Sequence, residues 1–491
     1  MTLVRSLLCI LSFYAQGAND SPGLARLKAF VEALNSQKQS NVETFIKSSF
    51  SPNSGGGRPI AIRAQRLFGL ASLGTPFTIG KVLKDEPTVV IAEIKNAQGD
   101  DWEMKMNFEV TEPHGATSVY MGGPGSQTSP PPKKYTEWKN PIDLLNQIKT
   151  DTKVPAIGIA FALGSSREFA VVGERDINKP DKVKLEDRWL IGSVTKSMTS
   201  MMIARLVDKG VMRWDTTIRQ ALPKIPMRKE YEAVTLLQLL QHRAGIQQDR
   251  LVTTGFLGRA AGDSKDLVEI REHYTQFTLS RDPLSKPGER MAYSNAGYSI
   301  AAHMAEVLAN KPYEQLMQEL VFNPLGMSSA RFGVPGTPGN PGADGQINGH
   351  ALEGEAVVTH IMADPNLNAI QAAAGSGVSI SLEDLLKFAQ YHLAGLQGYV
   401  TLMSPKNFKV LHEPAESGPG VYKYACGWVV NDTLTKQPFH GHNGSDGTFW
   451  AEVAIWPTQN FAAVSISNAA NKLLQSPPLQ AILTVHNRYC K

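Results

Sequence analysis

Cysteine is scarce in this chain of 491 residues: Cys9, Cys426 and Cys490 are the only three. That excludes a small scaffold stapled by disulfides, and no Cys/His cluster has the spacing of zinc ligands, so no metal is expected. Long apolar runs are missing too. No segment beyond the first residues reaches the roughly 18 consecutive apolar positions that cross a bilayer, so no transmembrane span is expected. Clustered charge of one sign is absent. The formal charge is +4, and no basic run exceeds Lys133-Lys134. Nucleic-acid binding requires a concentrated basic face, so nucleic acid is not an expected partner. The chain also lacks a Gly-x-Ser-x-Gly elbow, which argues against a conventional α/β-hydrolase.

What remains is ordinary globular composition, 42% apolar and 19% charged, in a chain too long for one ordinary core. Residues 1–17 read as a secretory signal. Arg5 supplies the positive start, Leu7 to Tyr14 the short apolar stretch, and Ala15-Gln16-Gly17 the small residues before cleavage. The expected location is therefore periplasmic or secreted. After signal removal two cysteines are left, and two separate thiols are expected rather than a bridge.

A linker rich in Pro, Gly and Ser is expected over 122–136, from Gly122-Gly123-Pro124 past Pro130-Pro131-Pro132. The small domain before it, 18–121, opens with Ser21-Pro22, an N-cap with proline in the first turn. Leu24, Leu27, Phe30, Val31 and Leu34 follow at helical spacing. Val42, Phe45 and Ile46 predict a second helix, and 62–73 a third that ends at Gly74. Trp102, Met104, Met106, Phe108 and Val110 alternate with polar residues, predicting a strand with one dry and one wet face. Thr88 to Lys95 is its expected hairpin partner, with the turn over Asn96 to Asp101. Helices followed by a curved antiparallel sheet resemble the cone-shaped α+β fold of nuclear transport factor 2 and ketosteroid isomerase. No pair of groups is placed for chemistry there, so an accessory role is expected.

The larger domain, 137–491, predicts a helix over Ile142 to Ile148, then strands over Ile157 to Leu163 and Glu168 to Val172. A long helical region follows. Strands return at Gly427 to Val430, Thr448 to Ile455 and Phe461 to Ser467, and a helix around Leu479 to Arg488 closes the chain. This pattern implies one sheet assembled from both ends of the domain with an all-helical lobe between them.

Three motifs carry chemistry. Ser193 and Lys196 lie one helical turn apart on one face, ahead of Met198, Met201, Met202, Ile203, Leu206 and Val207, with Gly210 as the stop. A lysine in so apolar a helix is costly to keep charged, which suits a base, and a serine at a helix N-terminus meets free N–H groups that favour developing negative charge. Tyr293-Ser294-Asn295 follows the turn at Pro287-Gly288 and puts a phenol and an amide on one loop. His442-Asn443-Gly444-Ser445 lies among turn-forming residues just before a strand, and Gly441 and Gly444 admit close backbone approach.

Taken together, and with Trp189–Ile191, Val234 to Ile246, Pro287 to Tyr298, Phe322 to Met327 and Ala374 to Gly377 around them, these motifs resemble the serine β-lactamase and penicillin-binding-protein superfamily. The likeness covers about 137–488 and lies nearest to the class C β-lactamase, esterase and D-aminopeptidase side. It implies an antiparallel sheet flanked by helices, an α+β or α/β class, and no cofactor. It implies Ser193 as the nucleophile of an acyl-enzyme, and Lys196 and Tyr293 as the pair that takes its proton, with the choice between them open. Asn295, His442, Gly444 and Ser445 are implied to bind substrate, and the N–H groups of Ser193 and Ser445 to form the oxyanion hole. His442-Asn443-Gly444 departs from the Lys-Thr-Gly of most members. A fixed ammonium suits the carboxylate of a β-lactam or a D-Ala-D-Ala end, and a neutral histidine suits it less. The expected substrate is thus a small ester, amide or peptide. The alternatives are a β-lactamase, a D-Ala-D-Ala carboxypeptidase, or a penicillin-binding sensor without turnover. Oligomeric state is not legible.

Overall fold

The computed structural model describes residues 20–490 except 52–59, 61–63, 65–66, 68–69, 71–74, 98–100, 110–113, 123–134, 247–265, 290, 338–339, 342–345, 354–355, 361–369, 371, 400–401, 416–422, 432–434 and 471–475. The signal, the linker and most of the third small-domain helix therefore lie outside the described residues. The chain divides into two compact units, 1–132 and 133–491.

In the first unit, α1 (Pro22–Asn35) starts where Ser21 caps the Leu24 N–H with its side chain, and α2 (Gln39–Ser49) follows. Four antiparallel strands come next: β1 (Thr78–Glu86), β2 (Val89–Lys95), β3 (Asp101–Phe108) and β4 (Ala116–Gly122), in the order of the chain. The hairpin register joins Val89 to Asn107 and Lys95 to Asp101. Met104, Met106 and Phe108 are buried against α1, as the alternation predicts, but Glu103 on the other face is buried as well. That face is therefore less wet than the alternation implies.

The second unit begins with α3 (Pro141–Thr152), capped by Asn140. Strands β5 (Ala156–Leu163) and β6 (Ser166–Gly173) follow. The helical region contributes α4 (Thr195–Asp208), α5 (Leu236–Leu240), α6 (Leu267–Leu279), α7 (Asn295–Ala309), α8 (Leu382–Leu396) and α9 (Pro405–His412). Then come β7 (Val429–Asn431), β8 (Phe439–Ser445), β9 (Trp450–Trp456), β10 (Phe461–Ser467) and α10 (Pro477–Tyr489). The six strands form one antiparallel sheet in the order β7-β8-β9-β10-β5-β6. Both ends of the chain thus build one sheet, with β10 beside β5.

Residue size on β5 shows how the sheet is covered. Ile157, Ile159 and Phe161 point into a cluster with Leu144, Ile148, Ile482 and Val485, from the two end helices α3 and α10. Burying each such side chain contributes about 1.5–3 kcal/mol. The intervening small residues face α8, and a Cβ on Gly158 would lie 2.4 Å from the Leu382 side chain. Only a residue without a side chain lets α8 seat so closely, so Gly158→Val would break this contact.

Two differences from the sequence reading concern the site. Segment 439–445 is itself strand β8, paired with β7 over 439–441 and with β9 over 440–445, not a turn before a strand. Ser193 precedes α4 in a tight 3₁₀ turn, Gly192–Val194, so the α-helix proper begins at Thr195. Cys426 is buried, Cys490 is half-buried, and the two are unpaired.

Candidate active site

Helix α4 is buried on every side from Thr195 to Ala204, and two of its hydroxyls are satisfied by backbone oxygens. Ser197 Oγ donates to the Val194 carbonyl at 2.7 Å, and Thr199 Oγ1 to that of Ala373 at 2.8 Å. Lys196 on this helix has no exposed surface. Its ammonium donates to Ser193 Oγ at 3.0 Å, to Asn295 Oδ1 at 2.5 Å and to the Ala374 carbonyl. It lies 4.7 Å from the centre of the Tyr293 ring and 5.6 Å from that of Tyr298, over the ring faces. Such cation–π contacts contribute roughly 0.5–2 kcal/mol, not enough alone to offset burying a charge.

Close backbone packing shapes the nucleophile turn. Gly192 has φ +52°, and a Cβ there would lie 2.3 Å from the Ser445 nitrogen. A Cβ on Gly444 would lie 2.0 Å from the Ile191 carbonyl and 2.6 Å from the Ser193 nitrogen. Strand β8 therefore rests directly on the turn, and the amides of Ser193 and Ser445 are brought to one place. Ser193 itself is half-buried.

Tyr293 is 39% exposed, the most open of the residues around Lys196. Ser294 caps α7 by accepting from the Gly297 N–H at 3.3 Å, and Asn295 occupies the first turn of that helix. This cap fixes where the amide meets Lys196.

His442 is buried on β8. Its Nδ1 faces the Asn443 carbonyl at 2.5 Å, and its Nε2 lies 3.1 Å from the Tyr424 hydroxyl. A carbonyl only accepts, so the hydrogen-bond network assigns the proton to Nδ1, and Nε2 accepts from Tyr424. Both ring nitrogens are thus engaged within the protein. Burial, and then the charge of Lys196, push the His442 pKa down to about 3, so the ring is neutral.

The structure thus brings Ser193, Lys196 and Asn295 into direct contact, sets the Tyr293 ring beside the ammonium, and lays Gly444 and Ser445 against the nucleophile turn. Four participants escaped the sequence reading: His242, Tyr298, Ala374 and Tyr424. Ala374, His242 and Tyr298 stand inside the quoted stretches Ala374 to Gly377, Val234 to Ile246 and Pro287 to Tyr298, without a role assigned to them. No spacing rule marks Tyr424.

A buried lysine thus meets a half-buried serine at the mouth of α4, against strand β8 of the antiparallel sheet. The Beta-lactamase family model matches residues 142–481, and the chain belongs to that family, a family of hydrolases. It is similar to Protein flp of Staphylococcus aureus (strain MW2), 23% identical over 325 residues, which are 65% of this chain and 60% of that protein. The chain thus spans about 60% of the length of these curated relatives. Among solved structures it is similar to the octameric penicillin-binding protein homologue from Pyrococcus abyssi, with a TM-score of 0.57 and 22% identity, covering 70% of this chain and 76% of that one. It is likewise similar to D-amino acid amidase from Ochrobactrum anthropi SV3, with a TM-score of 0.56 and 20% identity, covering 71% and 98%. At these identities the structural likeness speaks for the fold. The family match starts at residue 142, so the resemblance of the first unit to the nuclear-transport-factor fold rests on its pattern of elements alone.

Proposed function

We propose that the chain is an exported serine hydrolase that cleaves an ester or amide through an acyl-enzyme on Ser193. The observation that carries this reading is the contact of the buried Lys196 ammonium with Ser193 Oγ at 3.0 Å. Ser193 Oγ attacks the substrate carbonyl, its proton passes to whichever member of the Lys196–Tyr293 pair is deprotonated at that moment, the Lys196 amine or the Tyr293 phenolate, and the new C–O bond forms a tetrahedral oxyanion. That oxyanion receives hydrogen bonds from the N–H groups of Ser193 and Ser445. Collapse expels the alcohol or amine, which takes the proton, and water then releases the acid by the same route in reverse. Asn295 ties Lys196 to the start of α7 and offers its amide to the substrate.

The neutral state of His442 supports esters and small amides over β-lactams. Its ring offers no charge and no unengaged nitrogen to a carboxylate. The D-amino acid amidase among the structural relatives favours D-amino-acid amides as a first class to try. Under this reading, residues 18–121 form an accessory domain that 122–136 links to the hydrolase domain 137–491, and residues 1–17 direct export.

The test is a panel of p-nitrophenyl esters, D-amino-acid amides and nitrocefin, run on the wild type and Ser193→Ala, together with fluorophosphonate labelling. Turnover that survives Ser193→Ala, or a folded protein whose Ser193 takes no label, overturns the proposal. Nitrocefin hydrolysis far faster than ester hydrolysis would transfer it to the β-lactamases.

A further inference from the structure

One histidine grips both sides of the Tyr293 loop. The Ala292 N–H donates to the His242 carbonyl at 2.7 Å, and the Ser294 N–H donates to His242 Nδ1 at 3.1 Å. The residue between those two donors is Tyr293, and its ring centre lies 4.2 Å from that of the imidazole. We infer that His242 is the positioning residue that sets the Tyr293 phenol against Lys196 and Ser193, an inference resting on the proposal that Tyr293 shares in moving the Ser193 proton.

Three further observations point the same way. The backbone of His242 has φ +57°, the left-handed conformation that ends α5 just after its cap at Gln241, and it turns the chain so that the His242 carbonyl and ring both meet the Tyr293 loop. The adjoining backbone continues the grip: the Gly288 N–H donates to the Arg243 carbonyl and the Leu284 N–H to that of Gly245, both at 2.7 Å. A Cβ on Gly245 would lie 2.2 Å from the Ser285 carbonyl, so the 242–245 turn acts as a template against which 284–289 and 291–294 are moulded.

The imidazole is also suited to the task chemically. It is 2% exposed and faces Tyr293, Tyr298 and Tyr424, with the charge of Lys196 and the ring of His442 nearby. Burial, then Lys196 and His442, push its pKa well below 6.5, which leaves Nδ1 as a lone-pair acceptor for Ser294. The proton is then on Nε2, a buried nitrogen without a hydrogen-bond partner. Leaving such a group unsatisfied costs stability, so fold stability alone would not favour it.

The decisive measurement is the rate at which a fluorophosphonate labels Ser193, followed against pH, in a double-mutant cycle of His242→Ala with Tyr293→Phe. In the otherwise native protein His242→Ala is expected to slow labelling on the order of 100-fold and to shift the pH profile, as a misplacement near 1 Å would. His242→Asn, which keeps a short acceptor and tolerates positive φ, should recover the rate to within about tenfold. In the Tyr293→Phe background, His242→Ala should cost less than about twofold more. Equal losses in both backgrounds, or an unchanged rate and profile, would overturn the inference. If His242→Ala does not fold, His242→Asn is carried through the same cycle, and an additive loss overturns the inference there too. Failure of the wild type to label at Ser193 is a separate result and defeats the hydrolase proposal itself.

Discussion

Two cationic side chains lie inside the second unit with essentially no exposure, and they are held in opposite ways. Arg271 on α6 is clamped by two carboxylates, with Glu306 at 2.6 Å and Glu314 at 2.9 Å. Glu306 is itself satisfied by the Tyr313 N–H at 2.8 Å. Lys196 on α4 is held by a hydroxyl, an amide oxygen and a peptide carbonyl, with aromatic faces around it. Arg271 thus belongs to a closed ionic network, where removing one member strands a buried charge. Lys196 donates to neutral oxygens, one of which is the nucleophile. Architecture binds the first charge tightly. The second is placed where a proton has somewhere to go.

The sharpest way to break this contrast is to replace both cations by methionine. Lys196→Met, like Ser193→Ala, should lower turnover on the order of 10⁴- to 10⁶-fold, as measured with the best ester or amide of the panel. Its stability should change by no more than about 1 kcal/mol in urea unfolding, because relief from burying a charge offsets the lost hydrogen bonds. Arg271→Met should do the reverse, losing about 3–5 kcal/mol while the folded fraction keeps nearly full turnover. Similar behaviour of the two variants would dissolve the distinction.

The next test asks whether positive charge at the site stays on one side chain. With a folded pKa of about 3 against 6.5, His442 binds fewer protons folded than unfolded between those values. Its contribution to stability is full above pH 6.5 and is lost as pH falls toward 3. At pH 5 the loss is about 2 kcal/mol, so His442→Gln should acidify with less loss of stability than the wild type. An identical pH dependence of the unfolding midpoint would show that His442 charges in place. The smallest effect is expected from Tyr424→Phe, which removes the donor to His442 Nε2. It should cost about 1 kcal/mol and less than tenfold in turnover.

Particular elements show what could be read in advance. Strand β10 was legible over Phe461 to Ser467, its full length, because it is short, mostly apolar and buried on both faces. Helix α4 was legible from its apolar residues and the stop at Gly210. Strand β8 was not, because Phe-His-Gly-His-Asn-Gly-Ser has little intrinsic preference for a strand. Pairing with β7 and β9, and the need for Gly444 to pass beneath the Ile191 carbonyl, decide its conformation. Gly427 misled in the other direction. It reads as the start of a strand, yet it adopts φ +76° against the backbone of Lys196 and Ser197, and β7 begins only at Val429.

The candidate site divides along the same line. The sequence by itself determined that Ser193 and Lys196 come about one turn apart at the start of a helix, since that follows from a spacing of three, whether the first turn is 3₁₀ or α. It also set the order of the tyrosine, asparagine and histidine motifs. Only the tertiary structure decided that Asn295, 99 residues on, and Ala374, 178 residues on, meet at the same ammonium. Only it decided that His442 spends both nitrogens inside the protein, and that His242 grips the Tyr293 loop from both flanks. The reason is physical. Helical periodicity is a local property of the backbone, whereas burial, hydrogen-bond partners and the protonation they impose depend on what the rest of the chain packs against each group.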